Sequence, residues 1–195
     1  MPKKRNYLSF SQLNLWERNP DQYYRQYILG EDGQDNKYLK LGRQMATALE
    51  FGFDAWHDKM IEMMLVFMPS YPKKEFKITA KLDGIKLLGV LDGFNPRKLI
   101  IGEYKTSKNN FTQKMVDTST QITFYSLLVW LKYKKLPNKI FLHWARTIEN
   151  SHGELGLTGD FQTFETKRTL KDIIMLSRRI KRAWNCISNL KKLKK

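Results

Sequence analysis

Cysteine is almost missing from this 195-residue chain. The single Cys186 rules out an intrachain disulfide framework and any zinc or iron–sulfur site built from cysteines. Long apolar runs are missing too. Nothing approaches membrane-spanning length and no signal peptide opens the chain, so a cytoplasmic location with no membrane insertion is expected. Acidic residues are scarce: 19 stand against 35 lysines and arginines, a net charge of +16. Such an excess repels itself and attracts a polyanion, most simply nucleic acid. RNA-rich assemblies and acidic membrane surfaces satisfy the same charge. Internal repeats and low-complexity segments are absent, and the opening Pro2-Lys-Lys-Arg5 reads as a solvated basic terminus.

What is present suffices for a core. Hydrophobic residues make up 42% of the chain, which excludes a disordered polybasic tail. The length suits one domain over residues 1–195, with a basic tail over about 188–195. Ser9-Phe-Ser-Gln12 fits a capping box with Leu8 and Leu13 as its hydrophobic staple, and the helix it starts should stop near Asn19-Pro20. Asp21 onward starts a second helix, and Gly30 to Asn36 reads as a loop. A helical pattern runs from Lys40 to about Phe67 with a break at Gly52. Phe76 to Ala80 and Ile85 to Leu91 read as strands joined by the hairpin turn Asp83-Gly84. After a second turn, Leu99 to Lys105 forms a third strand. Thr106 to Thr118 reads as a polar loop, Gln121 to Lys132 as a helix, and Ile140 to Arg146 and Phe161 to Phe164 as strands. Thr169-Leu-Lys-Asp172 opens a last amphipathic helix with Ile173, Leu176, Ile180 and Trp184 near one face. The order predicts an α/β or α+β domain with a mixed central sheet.

Three ionisable residues stand inside the most apolar of these strands: Asp92, Glu103 and Lys105. Charged side chains are rarely buried unless paired or bound to a metal. Alternation puts Glu103 and Lys105 on one face of their strand. With Pro96 and Arg97 as the two central turn residues, Asp92 falls opposite Ile101, on that same face and diagonal to Glu103. Two carboxylates suit Mg²⁺ or Mn²⁺, which take oxygen ligands and share the rest with water and phosphate. A lysine beside them can orient a water or neutralise charge on a phosphate. The competing reading is a cross-strand salt bridge on a solvated face, against which Val90, Leu91, Leu99, Ile100 and Ile101 argue for burial. Gln121 and Tyr125, one turn apart on the next helix, are candidates for contact with a DNA phosphate or base. Trp16, Tyr23, Tyr24, Tyr27 and Trp56 can either stack on bases or pack the helices, and packing is the default. Met60, Met63, Met64 and Met68 read as core filling.

The run Asp92…Glu103-Tyr-Lys105, followed by Gln121-x-x-x-Tyr125, resembles the PD-(D/E)XK nuclease superfamily in its RecB-like branch. Leu8-Ser-Phe-Ser-Gln-Leu13…Asn19-Pro20…Tyr23-Tyr24 resembles the first helices of that branch. The likeness spans about residues 7 to 146. It implies a restriction-endonuclease-like core of a mixed sheet flanked by helices, and divalent-metal cleavage of single- or double-stranded DNA in repair, recombination or DNA processing. Exonuclease action on ends is the first expectation, with protein partners in a DNA-processing complex. By the same likeness Asp92 and Glu103 hold the metal, Lys105 is the catalytic lysine, and Gln121 and Tyr125 belong to the motif that follows. Two features depart from the branch. Gly42-Arg-Gln-Met-Ala46 has alanine where a metal-ligating histidine is common; Glu50 stands one turn further on, and His57 is spaced wrongly by one. Relatives with an iron–sulfur cluster carry four cysteines, and this chain has Asn19 at the first position, so no cluster forms. The missing histidine keeps a second class in view: a nuclease-fold DNA-binding or accessory protein with little catalysis.

Overall fold

The computed structural model describes residues 6–31, 37–51, 65–153 and 155–193. Its centre is a mixed sheet of six strands: β1 (Leu8–Ser9), β2 (Lys73–Leu82), β3 (Ile85–Asn95), β4 (Ile100–Ser107), β5 (Lys139–Glu149) and β6 (Leu155–Thr166). The order is β1-β3-β4-β5-β6, with β2 on the other edge of β3. β1–β3 and β4–β5 are parallel, and the remaining pairs antiparallel. Helices α1 (Phe10–Arg18), α2 (Pro20–Tyr23), α3 (Lys37–Phe51), α4 (Gln113–Asp117), α5 (Thr120–Tyr133) and α6 (Leu170–Leu193) surround it.

The helix starts follow the local chemistry. Ser9 Oγ accepts from Gln12 N at 3.3 Å, with Leu8 and Leu13 fully buried beneath the cap. Asn19 ends α1 and caps α2, whose first residue is Pro20. The chain from Tyr24 to Leu29 is wound wider than an α-helix and ends at Gly30, in the left-handed region with φ of 85°. Thr169 and Asp172 cap α6 reciprocally: Asp172 Oδ2 accepts from Thr169 N at 2.7 Å, and Thr169 Oγ1 accepts from Asp172 N at 3.3 Å.

Two layers of packing result. On one face, Ile122, Phe124, Leu127 and Leu128 of α5 and Ile173, Leu176, Ile180 and Ile187 of α6 bury against Leu87, Leu91, Ile101 and Leu142 of the sheet. Tyr23 is fully buried there and packs edge-on against Trp16, so these aromatics hold helices to the sheet. On the other face, Met45 and Ala48 of α3 meet Ala145, Leu157 and Met68. Among the described residues no helix is long and apolar enough to cross a membrane.

Several expectations are amended. The polar stretch after β4 contains a helix, α4, because Thr112 Oγ1 caps it by accepting from Met115 N. The last strand is much longer than Phe161 to Phe164, its pairing with β5 resuming beyond a shift between Ala145 and Thr147. Trp56, His57, Met60, Met63 and Met64 lie outside the described residues. The turn between β3 and β4 is also wider than a two-residue connection. Asn95 pairs with Ile100, leaving Pro96 to Leu99 as the loop. Asn95 Oδ1 closes it by accepting from Lys98 N at 3.0 Å, and Leu99 takes φ of 49°. The register therefore moves by two residues. Extended by one step past the last pair, Gly93–Gly102, that register sets Asp92 across from Glu103 and not Ile101, an even shift that keeps the expected face.

Candidate active site

The β3–β4 ladder runs only from Asn95–Ile100 to Gly93–Gly102. Beyond it β4 stays paired with β5 along its whole length, through Ser107 and Arg146. At the parting point Asp92 takes over from the ladder: its Oδ2 accepts the Tyr104 backbone N–H at 2.9 Å. A second irregularity coincides. A side chain at Gly89 would meet Tyr125 and Leu128 of α5, whereas one at Gly93 would meet Tyr71 on the other side of the sheet. Residues four apart in a regular strand share a face, so the alternation of β3 breaks between them. Across from the break, Glu75 has φ of 45°, and the β2–β3 ladder passes over the Glu75–Asp92 pair. Such local irregularities re-aim side chains where pairing stops.

The opening is a cleft of about 320 Å³. Asp92, Glu103, Lys105 and Gln121 line it together with Glu75 and Lys74 of β2 and Arg43 and Glu50 of α3. Glu103, 1% exposed, is its floor. Its Oε1 accepts from Lys105 Nζ at 2.6 Å and from Gln121 Nε2 at 2.6 Å. Gln121 lies in the first turn of α5, which Ser119 caps. Tyr125 is 7% exposed, and its hydroxyl accepts from the same Gln121 amide nitrogen at 3.0 Å. It thus supports Gln121 from behind, and any contribution it makes at the cleft runs through that amide. The other carboxylate oxygen, Glu103 Oε2, is buried with no hydrogen-bond partner. A buried unpaired lone pair costs free energy unless a proton or a cation meets it.

The electrostatics follow from this crowding. Burial pushes the Glu103 carboxyl up from 4.5 to about 8, with Lys105 opposing and Asp92 and Glu75 assisting. Burial raises Asp92 as well, against the pull of Lys105 and the Tyr104 N–H. Lys105 is raised: burial works against its charge, and Glu103 and Asp92 outweigh it. Glu75 is raised by burial and by the charges of Asp92 and Glu50. An otherwise strongly basic chain thus concentrates carboxylates in one cleft. A folded-state pKa above the unfolded one means that the native protein holds a proton the unfolded chain releases. The stability Glu103 contributes is present below pH 4.5 and lost as pH rises toward 8. In EDTA, denaturant titrations should show stability falling across that window, and Glu103→Gln should flatten the slope.

Among the described residues no three His, Cys, Asp or Glu side chains are placed to chelate an ion by themselves. The donors on hand are the carboxylates of Asp92 and Glu103, the latter with its Oε2 unpaired, a set that fits a hard cation keeping several waters. Glu75 escaped the sequence reading although a signal existed. The Asp83-Gly84 turn pairs Leu82 with Ile85, and counting outward places Glu75 across from Asp92. Glu50, the carboxylate considered in place of the missing histidine, lines the same cleft.

No protein-family model and no curated protein matches the chain. Among solved structures it is similar to a candidate exonuclease of Eubacterium rectale, with TM-score 0.65 and 13% identity over 96% of this chain and 82% of that one. It is also similar to a phage-related exonuclease of Haemophilus somnus 129PT, with TM-score 0.58 and 14% identity over 88% of this chain and 80% of that one. At such identities the likeness establishes the shared fold: a mixed sheet flanked by helices, closed by a long C-terminal helix.

Proposed function

We propose that this chain is a divalent-metal-dependent deoxyribonuclease of the PD-(D/E)XK type, in its RecB-like branch, acting on DNA ends in repair, recombination or processing. One observation carries the reading: Glu103, nearly sealed from solvent, shares Oε1 between Lys105 and Gln121, leaves Oε2 unpaired, and faces Asp92 across a splayed strand junction. A salt bridge serving stability alone has no use for a further buried acid or an empty lone pair. Two solved exonuclease structures with this fold support the same reading.

Asp92 and Glu103 are the residues that would hold Mg²⁺ or Mn²⁺. When bound, such an ion polarises a phosphoryl oxygen and makes a coordinated water a nucleophile near neutral pH. The protein's own groups do the rest. Gln121 fixes the Glu103 carboxylate, spending its amide on that oxygen and on Tyr125. Lys105, partly exposed at the cleft, orients the attacking water or meets negative charge growing on the phosphate. Lys74 and Arg43 at the rim draw the sugar–phosphate backbone toward carboxylates that would otherwise repel it.

The test uses end-labelled linear DNA and closed circular DNA with Mg²⁺, Mn²⁺ or EDTA. Metal-dependent shortening of linear DNA with the circle intact is expected. Nicking of the circle would replace end-directed action with endonuclease action, and equal degradation in EDTA would remove the metal from the proposal. DNA affinity in EDTA should fall steeply and log-linearly with salt, as counterion release requires.

A further inference from the structure

Tyr71 belongs to no motif, yet it occupies a distinctive position in the fold. It lies just before β2, on the side of the sheet away from Glu103. Its ring fills a notch left by Gly93 and Gly102, which are cross-strand partners and the last pair of the β3–β4 ladder. A Cβ added at Gly93 would sit 2.3 Å from the ring and one at Gly102 2.2 Å from it, closer than any real contact. The ring therefore occupies the space both side chains would need. Its far end is anchored. Tyr71 Oη lies 2.8 Å from His143 Nε2, and His143 Nδ1 lies 2.8 Å from Thr163 Oγ1, so the brace spans β5 and β6. Burial pushes the Tyr71 phenol up to about 12 and the His143 imidazole down to about 4, leaving both neutral over the working range. The brace is thus static and not a pH switch.

The two glycines adjoin the two acids. Gly93 follows Asp92 and Gly102 precedes Glu103, so the ring bears on the peptide units that carry both carboxylates. We propose that Tyr71 is a positioning residue: wedged on Gly93 and Gly102 and tied to His143, it sets the angle at which β3 and β4 part and hence the spacing of Asp92 and Glu103. The inference rests on reading those acids as the catalytic pair.

The experiment compares wild type, Tyr71→Ala, Tyr71→Phe, Gly102→Ala and the double variant Tyr71→Ala/Gly102→Ala. Three readouts are taken well below each melting temperature: kcat and KM on linear DNA, Mn²⁺ affinity by electron paramagnetic resonance, and thermal stability. Tyr71→Ala should lower kcat by about 100-fold with KM unchanged, since displacing reacting groups by an ångström has that scale of effect. Its Mn²⁺ affinity should fall by about tenfold or more. Tyr71→Phe, which keeps the wedge and loses the anchor, should fall between it and wild type. Gly102→Ala should destabilise wild type strongly and Tyr71→Ala much less, because the second background has room for the methyl group. A Tyr71→Ala protein that melts earlier yet keeps wild-type kcat and Mn²⁺ affinity would overturn the proposal, as would additive stability losses in the double variant. If Tyr71→Ala does not fold, Tyr71→Leu carries the same readouts. Should wild type cleave no DNA, the nuclease reading fails, and the Mn²⁺ titration still decides the wedge.

Discussion

Asp92→Ala is expected to bring degradation of linear DNA down to the level of a protein-free control, while DNA binding in EDTA holds or tightens. Binding survives because the deleted group repels phosphate, and the positive charge that draws DNA is spread over the whole chain. Activity is lost because Asp92 and Glu103 are the pair assigned to the metal, and Asp92 Oδ2 also holds the Tyr104 N–H. Lys105→Met keeps the length of the side chain and removes its charge; the rate should drop by about 10²- to 10³-fold with Mn²⁺ affinity largely kept. The opposite effects on binding and cleavage separate lost chemistry from lost structure. Equal residual degradation by wild type and both variants would instead indicate a contaminant, and would favour a nuclease-fold protein that binds DNA without cutting it.

Arg168→Ala is expected to cause the largest stability loss of any single polar substitution away from the cleft, about 3 kcal/mol by chemical denaturation at neutral pH. Arg168 is 6% exposed and spends its whole guanidinium on the protein. Nη2 donates to the carbonyls of Val116 at 2.8 Å and Ser119 at 3.2 Å, Nε to Thr123 Oγ1 at 2.8 Å, and Nη1 to Thr166 Oγ1 and the Lys167 carbonyl, both at 2.8 Å. These bonds join the end of β6 to the turn between α4 and α5, one residue before the helix that presents Gln121. Alanine would strip a donor from three carbonyls and two threonine hydroxyls in a dry site. Arg168→Lys should recover little, because a point charge with three donors cannot reproduce a planar fork. A loss under about 1 kcal/mol would mean that water replaces the guanidinium, and that the α4–α5 turn does not depend on it.

How legible the site was varied from one residue to the next. Asp92, Glu103 and Lys105 stood out because ionised groups sit among Val90, Leu91 and Ile101, and their common face survived a wrong turn length since the register error was even. Gln121 was visible as a polar residue following that run, though its bond to Glu103 was not. Glu75 was countable from the hairpin, but the strand expected there began one residue later, at Phe76. Arg168 and Tyr71 gave no local signal. An arginine in a Lys-Arg-Thr stretch and a tyrosine between serine and proline look like loop residues until the segments that bury them arrive from elsewhere in the chain.

Alone, the sequence settled whatever depends on neighbours a few residues away. The caps at Ser9 and Thr169, the tight turn at Asp83-Gly84 and the apolar strands are all read within one turn of helix or one hairpin, where sterics and hydrogen bonds act locally, and the charge balance is a plain sum over the chain. Only the tertiary structure decided where β4 leaves β3, which way Asp92 turns, and what lies beneath the two glycines beside the acids. Those outcomes come from long-range packing of α3, α5, β5 and the Tyr71 ring against one junction, and no short window of residues contains the balance of those contacts.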